Sequence, residues 1–372
     1  MQIIKSSREA FATPVQAVSG IVGKQRQTLP ILSNILIKKI GTRVEFTATD
    51  LDIEIKTFAD IGTEGPDTCV TVDAAKLQSL ISALNHGSEV TLSQQSDNDP
   101  TVELKQGKST FRLNTLPAEE FPNRQTTSFA QSLVIPANQL RHLLQLVHFS
   151  MAQQDIRYFL NGMLLSVEGD TIRVVTTDGH RLAYCESKLE NPISDNIQCI
   201  VPRRTVLEMI RLIPDNEEAI TIEISNTEIR ITWGTITMSS KLVEGKFPDY
   251  NRVIPTNNKN IFIVKREALL SALKRTAILA NAKLRGVKWN LTANSLTVQS
   301  TNSDQEEAKD VLDVQYNGLD IEIGFNLLYL QDVLNNLRSE EVQFALHSNT
   351  GAMLVTMPEN SSFKYVVMPM RT

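Results

Sequence analysis

Three stretches of this chain begin alike. "IIKSSREAFATPVQAV", "LVIPANQLRHLLQLV" and "IFIVKREALLSALKRT" each read as a short strand running into an amphipathic helix, and their equivalent positions Glu9, Asn138 and Glu267 lie 129 residues apart both times. Leu140, Leu143, Leu144 and Val147 recur at helical spacing, which gives such a helix one face to bury. A second trio, "VEFTATD", "IRVVTTD" and "LTVQSTN", alternates apolar and polar residues and stops at a polar turn, at Asp50, Asp178 and Asn302, with spacings of 128 and 124. A third, "VDAAKLQSLISAL", "VPRRTVLEMIRLI" and "IGFNLLYLQDVL", opens another helix after a strand, with Asp73, Pro202 and Gly324 separated by 129 and 122. Three features repeated in one order constrain the chain to a tandem of three like units.

Each unit closes on strand-rich sequence such as "AITIEISNTEIRITWGTITMSSKLV", where Asn226-Thr227 stands between alternating runs as a hairpin turn does. The expected class is therefore α+β, with three similar domains at 1–125, 132–252 and 259–372. Pro and Asn cluster near 122–132 and 248–259, which reads as linkers, and the shared Phe121-Pro122 and Phe247-Pro248 mark the ends of repeats one and two. A chain of 372 residues carries two or three domains of the usual size.

The start "MQIIKSSREAF" lacks the apolar core of a signal peptide, and no apolar run reaches the length of a membrane span, so a cytoplasmic protein is expected. Cys69, Cys185 and Cys199 are far apart and show no CxxC spacing, which points to reduced, mostly buried thiols rather than a disulfide framework or a metal site. A formal charge of −5 gives no global attraction to nucleic acid or anionic lipid. The charge is unevenly placed, however. Six expected helix windows, 8–20, 74–84, 138–150, 203–211, 266–278 and 326–338, hold ten Lys or Arg against four Asp or Glu, a net +6 that leaves −11 for the remainder. If these helices faced one side, an acidic protein would own a basic surface suited to phosphates; otherwise they are ordinary solvated faces. No zinc-finger pattern or basic run of a sequence reader is present, so such a surface would read backbone rather than bases.

"VVTTDGHRLAYC" at 174–185 gathers Thr, Asp, His and Arg in the manner of an active site. A catalytic site needs a nucleophile, an orienting partner and an electrophilic hole, and the chain has no GxSxG elbow and no HExxH helix. "QGKST" at 106–110 resembles the tail of a phosphate loop, but Val102 stands where its first glycine belongs and the flanking run alternates as a hairpin with Gly107 in its turn. Asp178-Gly179 likewise reads as a turn after a strand, leaving His180 and Arg181 on a loop.

The motifs "TLPILSNILI", "TATDLDIEI", "RYFLNGMLL", "TTDGHRLA", "SKLVEGKFPDY", "EIGFN" and "YVVMPMR", in this order, resemble the bacterial DNA sliding clamps, the beta subunit of DNA polymerase III, and the resemblance runs from residue 1 to 372. It implies a head-to-tail homodimeric ring of six domains, helices lining a hole and sheets outside, which encircles duplex DNA and tethers the polymerase without chemistry or cofactor of its own. The implied partners are the polymerase III catalytic subunit, the clamp loader, and other polymerases and repair proteins that carry short peptide motifs. The implied DNA-facing residues are Arg26, Gln154, Arg203 and Arg204. The ring contact falls to Phe111, Leu113, Ile278 and Leu279, which residue pattern alone would assign to core packing.

By the same resemblance, a peptide cleft is formed by Arg157, Leu160, Thr177, Gly179, His180, Arg181, Leu182, Pro248, Arg252, Val253, Asn326 and Tyr329 with the tail Val366, Val367, Met368, Pro369, Met370 and Arg371. Methionines at such a surface adapt to varied apolar side chains, and prolines resist edge-to-edge aggregation. Phe159 stands where well-known members carry a tyrosine, and Thr372 where they carry a leucine. The competing readings are a hydrolase built on the His180 loop and a DNA-binding protein that forms no ring.

Overall fold

The structure, a computed structural model, describes all residues except 24–28, 97–98, 125–126, 359 and 372. Among the described residues the repeats yield six α-helices: α1 (Arg8–Ser19), α2 (Ala74–Ala83), α3 (Ala137–Val147), α4 (Arg203–Leu212), α5 (Arg266–Thr276) and α6 (Leu327–Asn336). Each follows a strand directly, as the repeated pattern requires. Side-chain caps stop the strands and start three of the helices: Ser7 accepts from the Ala10 amide, Asp73 from Lys76 and Asn326 from Leu328, satisfying amides that have no partner within a helix. The apolar spacing then sets the buried face, Phe11, Val15 and Val18 on α1 and Leu269, Leu270 and Leu273 on α5.

The chain forms two compact units, one of residues 1–138 and 211–242 and one of 139–210 and 243–372, so that the middle repeat is shared between them. The first unit has an antiparallel four-stranded sheet in the order 2–7, 89–93, 101–106, 109–114 and an eight-stranded sheet in the order 68–73, 34–40, 43–49, 53–59, 236–241, 228–233, 219–224, 131–136. The second unit repeats this plan: 307–313, 295–301, 286–292, 321–326 in the small sheet, and 197–202, 162–168, 171–177, 181–188, 360–367, 353–357, 341–346, 260–265 in the large one. Each large sheet thus joins four strands of one repeat to four of the next. The seams are the pairs Ser239 opposite Glu54 and Val366 opposite Leu182. Between sheets and helices lie apolar cores, of which the third repeat's is the most aromatic, with Phe262 stacked on Phe344 at 5.2 Å and Trp289 edge-on to both Phe325 and Phe344 at 5.4 Å.

Turns expected from the sequence hold their places. Strands 219–224 and 228–233 pair across Ser225–Thr227, and 101–106 pairs with 109–114 across Gly107, whose φ is +56°. "QGKST" is therefore a hairpin. The cysteines are free thiols, two of the three buried as expected: Cys69 is exposed on its strand, whereas burial pushes the Cys185 and Cys199 thiols up to about 12, which keeps them unreactive.

Candidate functional site

The second unit contains an apolar cavity of about 290 Å³ lined by Arg157, Phe159, Leu160, Thr177, Gly179, Arg181, Leu182, Phe247, Pro248, Tyr250, Val253, Val366 and Met368. Strand pairing builds its floor. Leu182 on strand 181–188 lies opposite Val366 on strand 360–367, and both pack with Leu164, Val175, Tyr184, Ile200 and Phe247 in one buried cluster. Phe159, Tyr250 and Val253 pack half-buried against that cluster and leave apolar surface facing the opening.

The polar wall comes from the 178–181 turn. Asp178 accepts from the amides of His180 (2.9 Å) and Arg181 (3.0 Å), and Gly179 takes φ +89°, a backbone that side chains with a Cβ rarely adopt. A Cβ there would lie 3.2 Å from the Arg157 guanidinium, which reaches over to the Asp178 carbonyl at 3.3 Å. Arg157 is held from the other side by Asp155, whose carboxyl its hydrogen bonds bring down to about 2. Thr177 caps the turn by donating its hydroxyl to the Arg181 carbonyl at 2.6 Å and accepting from the Gly179 amide.

Arg181 differs from the loop residue expected. It opens a strand, its side chain is 9% exposed, and its guanidinium donates to Asp332 on α6 (2.7 Å), to Asp178 (3.1 Å) and to the Phe149 carbonyl (2.7 Å) while lying over the Tyr329 ring at 4.3 Å. Burial opposes its charge, but Tyr365 and the Asp332 and Asp178 carboxylates outweigh burial and raise its pKa. Burial also holds the Tyr365 hydroxyl protonated, so at neutral pH the carboxylates carry the charge balance.

The remaining residues of the implied cleft are spread around this cavity rather than lining it. His180 is exposed, and its carbonyl accepts from the Met368 amide at 2.9 Å. Arg252 projects outward, 86% exposed and paired with Asp249. Asn326 is the cap of α6, Tyr329 is the platform under Arg181, and Val367 is fully buried opposite Arg181. The tail leaves the sheet after Val367: Met370 bonds the Gly324 carbonyl at 2.9 Å, Pro369 is half-buried and Arg371 exposed. Phe247 and Tyr250 line the cavity although the sequence alone did not assign them to the cleft; their place beside Pro248 in "SKLVEGKFPDY" was the available signal.

Of the residues implied to face DNA, Arg26 lies outside the described residues. Gln154 is exposed at the tip of the 151–157 loop with φ +56°, Arg203 is half-buried at the start of α4, and Arg204 is exposed beside it. Several of the helix cations counted above have intramolecular duties. Arg8 donates to the carbonyls of Ile81 and Ser82 at the end of α2, Arg266 to Leu334 and Ser339 at the end of α6, Arg141 to Ile210, and Arg275 pairs with Asp310. Arg8, Arg141 and Arg266 thus cap the negative ends of neighbouring helices, and Arg275 pairs with a strand carboxylate. Of the implied ring-contact residues, Ile278 is 78% exposed and Leu279 half-buried in a turn after α5, while Phe111 is half-buried and Leu113 9% exposed on strand 109–114.

Among the described residues no helix is long and apolar enough to cross a membrane, and no cluster of His, Cys, Asp and Glu could hold a metal ion. The family descriptions of the DNA polymerase III beta subunit match in series: the N-terminal domain over residues 1–125, the central domain over 134–249 and the C-terminal domain over 251–371. The beta sliding clamp of Pseudomonas aeruginosa is 41% identical over 364 residues, 98% of each chain. Crystal structures of the P. aeruginosa and Bartonella birtlesii sliding clamps, both bound to griselimycin, superpose with TM-scores of 0.94 at 40% and 33% identity over the full length of both chains. The hydrolase reading finds no support among these relatives. A threefold α+β repeat matched by three consecutive family domains and by whole-chain identity near 40% leaves one assignment: the chain belongs to the DNA polymerase III beta subunit family, the sliding clamps, which are non-catalytic processivity factors.

Proposed function

We propose that two copies of this chain, each of three domains at 1–125, 132–252 and 259–372, close head to tail into a ring around duplex DNA in the cytoplasm and tether the DNA polymerase III catalytic subunit. The clamp loader and other polymerases and repair proteins would use the same socket. The observation that carries this reading is the 290 Å³ apolar cavity, where the 177–182 turn of the second repeat meets the tail strand of the third. A pocket of this size and lining takes two or three apolar side chains of an extended peptide, and its polar rim of Thr177, Gly179 and Arg157 offers partners for the peptide's backbone or a glutamine. Arg203, Arg204 and Gln154 would touch phosphates weakly and without sequence preference, as sliding requires.

The test is a titration of a labelled Gln-Leu-x-Leu-Phe peptide against the intact protein and a variant ending at Val367. Removing Met368 to Thr372 strips one wall of the cavity, so the affinity should fall at least ~10-fold while the dimer persists. Unchanged affinity would move the socket elsewhere.

A further inference from the structure

The end of α3 presents three successive carbonyls, Val147, His148 and Phe149, and each receives a donor from a surrounding side chain, His148 O in addition to the Met151 amide that closes the turn at 3.4 Å. Thr176 donates to Val147 O at 2.5 Å, Arg203 to His148 O at 3.5 Å and Arg181 to Phe149 O at 2.7 Å. Orphan carbonyls at a helix end need such donors. Here the donors come from two different surfaces, Arg181 from the socket and Arg203 from the face assigned to DNA. A second tie runs beside the first: the Arg203 amide bonds the Asn161 carbonyl at 3.0 Å, and the neighbouring Leu160, a cavity residue, bonds Ala152 through its own carbonyl at 3.0 Å.

We propose that Arg181 is a positioning residue for the peptide socket and that, through the His148–Ser150 turn it shares with Arg203, phosphate binding at Arg203 and peptide binding in the socket favour each other. The inference rests on the function proposed above. Its physical basis is charge. Arg203 and Arg181 are like charges on adjacent carbonyls, and Arg203 has its pKa lowered by burial first and by Arg181 second. A phosphate that engages Arg203 neutralises this repulsion. Arg181 then settles more firmly on Asp178, Asp332 and Phe149 O, and the turn carrying Thr177 and Gly179 is held in the geometry that receives a peptide. Coupling between binding events is reciprocal, so peptide should tighten the hold on DNA equally.

The experiment measures the affinity of the labelled Gln-Leu-x-Leu-Phe peptide for the full-length dimer at low salt, with and without a saturating blunt duplex whose own binding is followed by anisotropy. The wild type should bind peptide at least ~5-fold more tightly with duplex present. Arg203→Gln removes the repelling charge permanently, so it should raise duplex-free peptide affinity to within about twofold of the wild type's duplex-bound value and abolish the difference between the two conditions. Arg181→Ala should lower duplex-free affinity and lose the coupling. Arg181→Lys, which keeps the charge but not the fork, should recover the affinity in part, and a thermal melt of each variant confirms that it is folded. Peptide binding by the wild type that is indifferent to a bound duplex overturns this inference alone. Failure of the wild type to bind peptide, or to bind duplex, overturns the underlying function and this inference together.

Discussion

His148 sits in the turn after α3 with its Nδ1 3.1 Å from the Gln145 carbonyl, which makes that nitrogen a donor. Burial lowers its pKa, and Arg203 pushes the same way, against smaller opposing effects of the Gln145 carbonyl and Asp332. The unfolded chain therefore takes up the proton first, near the ordinary imidazole value of about 6.5, and stability falls as the pH drops from there toward the lower folded value. Denaturant midpoints compared between pH 8 and pH 5.5 should show a loss in the wild type that is smaller in His148→Gln; equal losses would place the titration elsewhere. The same residue scale separates Arg181 from Arg157. Both are arginines of one cavity, but Arg157 is half exposed, paired with Asp155 of its own loop and bonded to the Asp178 carbonyl, whereas Arg181 is buried among three elements. Nothing in "RYFLNGMLL" and "TTDGHRLA" foretells which arginine is buried, because burial of a guanidinium depends on where Asp332, 151 residues from Arg181, is delivered.

At the scale of elements, the two eight-stranded sheets are built alike and end in different chemistry. Leu182 and Tyr184 in the second unit correspond, 128 residues earlier, to Glu54 and Lys56 in the first, and Val366 opposite Leu182 corresponds to Ser239 opposite Glu54. Glu54 and Lys56 pair at 3.1 Å in a cleft of about 420 Å³ lined further by Arg43, Arg124, Glu228 and Arg230. An apolar side chain placed there would desolvate ion pairs without compensation, so this cleft does not suit the apolar occupant that the cavity of the second unit suits. Asn326 illustrates how an element can claim a residue that resemblance assigns to a site. Its side chain caps α6 at 2.9 Å, so Asn326→Ala should destabilise the protein by about 1 kcal/mol while peptide affinity changes less than the truncation at Val367 changes it. A peptide loss as large as that of the truncation would restore Asn326 to the binding surface.

At the scale of the whole molecule, Ile278 is, with Ile156 at 89%, among the most exposed large apolar side chains of the described residues: at 78% exposed it stabilises little within its own chain. Replacing Ile278 and Leu279 together by Ala should leave the melting of the isolated chain nearly unchanged, because little is buried there, and should weaken the proposed dimer by about 2 to 5 kcal/mol if a partner covers them. Analytical ultracentrifugation over a dilution series reads the difference; an unaltered dimer would assign the contact to other residues.

The threefold repeat, the helices, the hairpins at Gly107 and Asn226, and the turn at Asp178-Gly179 were legible in the sequence, because each is set by neighbours within a few residues through apolar period or a positive φ. Family membership was legible for the same reason, as seven local motifs. What only the tertiary structure decided is contact between distant segments. Strand 181–188 pairs with 360–367 rather than with its own repeat's last strand, which makes the cavity and brings Phe247 and Tyr250 into it. The helix charge that looked uniform in sequence is divided, in space, among capping of neighbouring helices, pairing with a strand carboxylate and exposed surface. Net charge is additive along a chain, but the partner that each charge finds is set by packing, and packing is what one-dimensional patterns leave open.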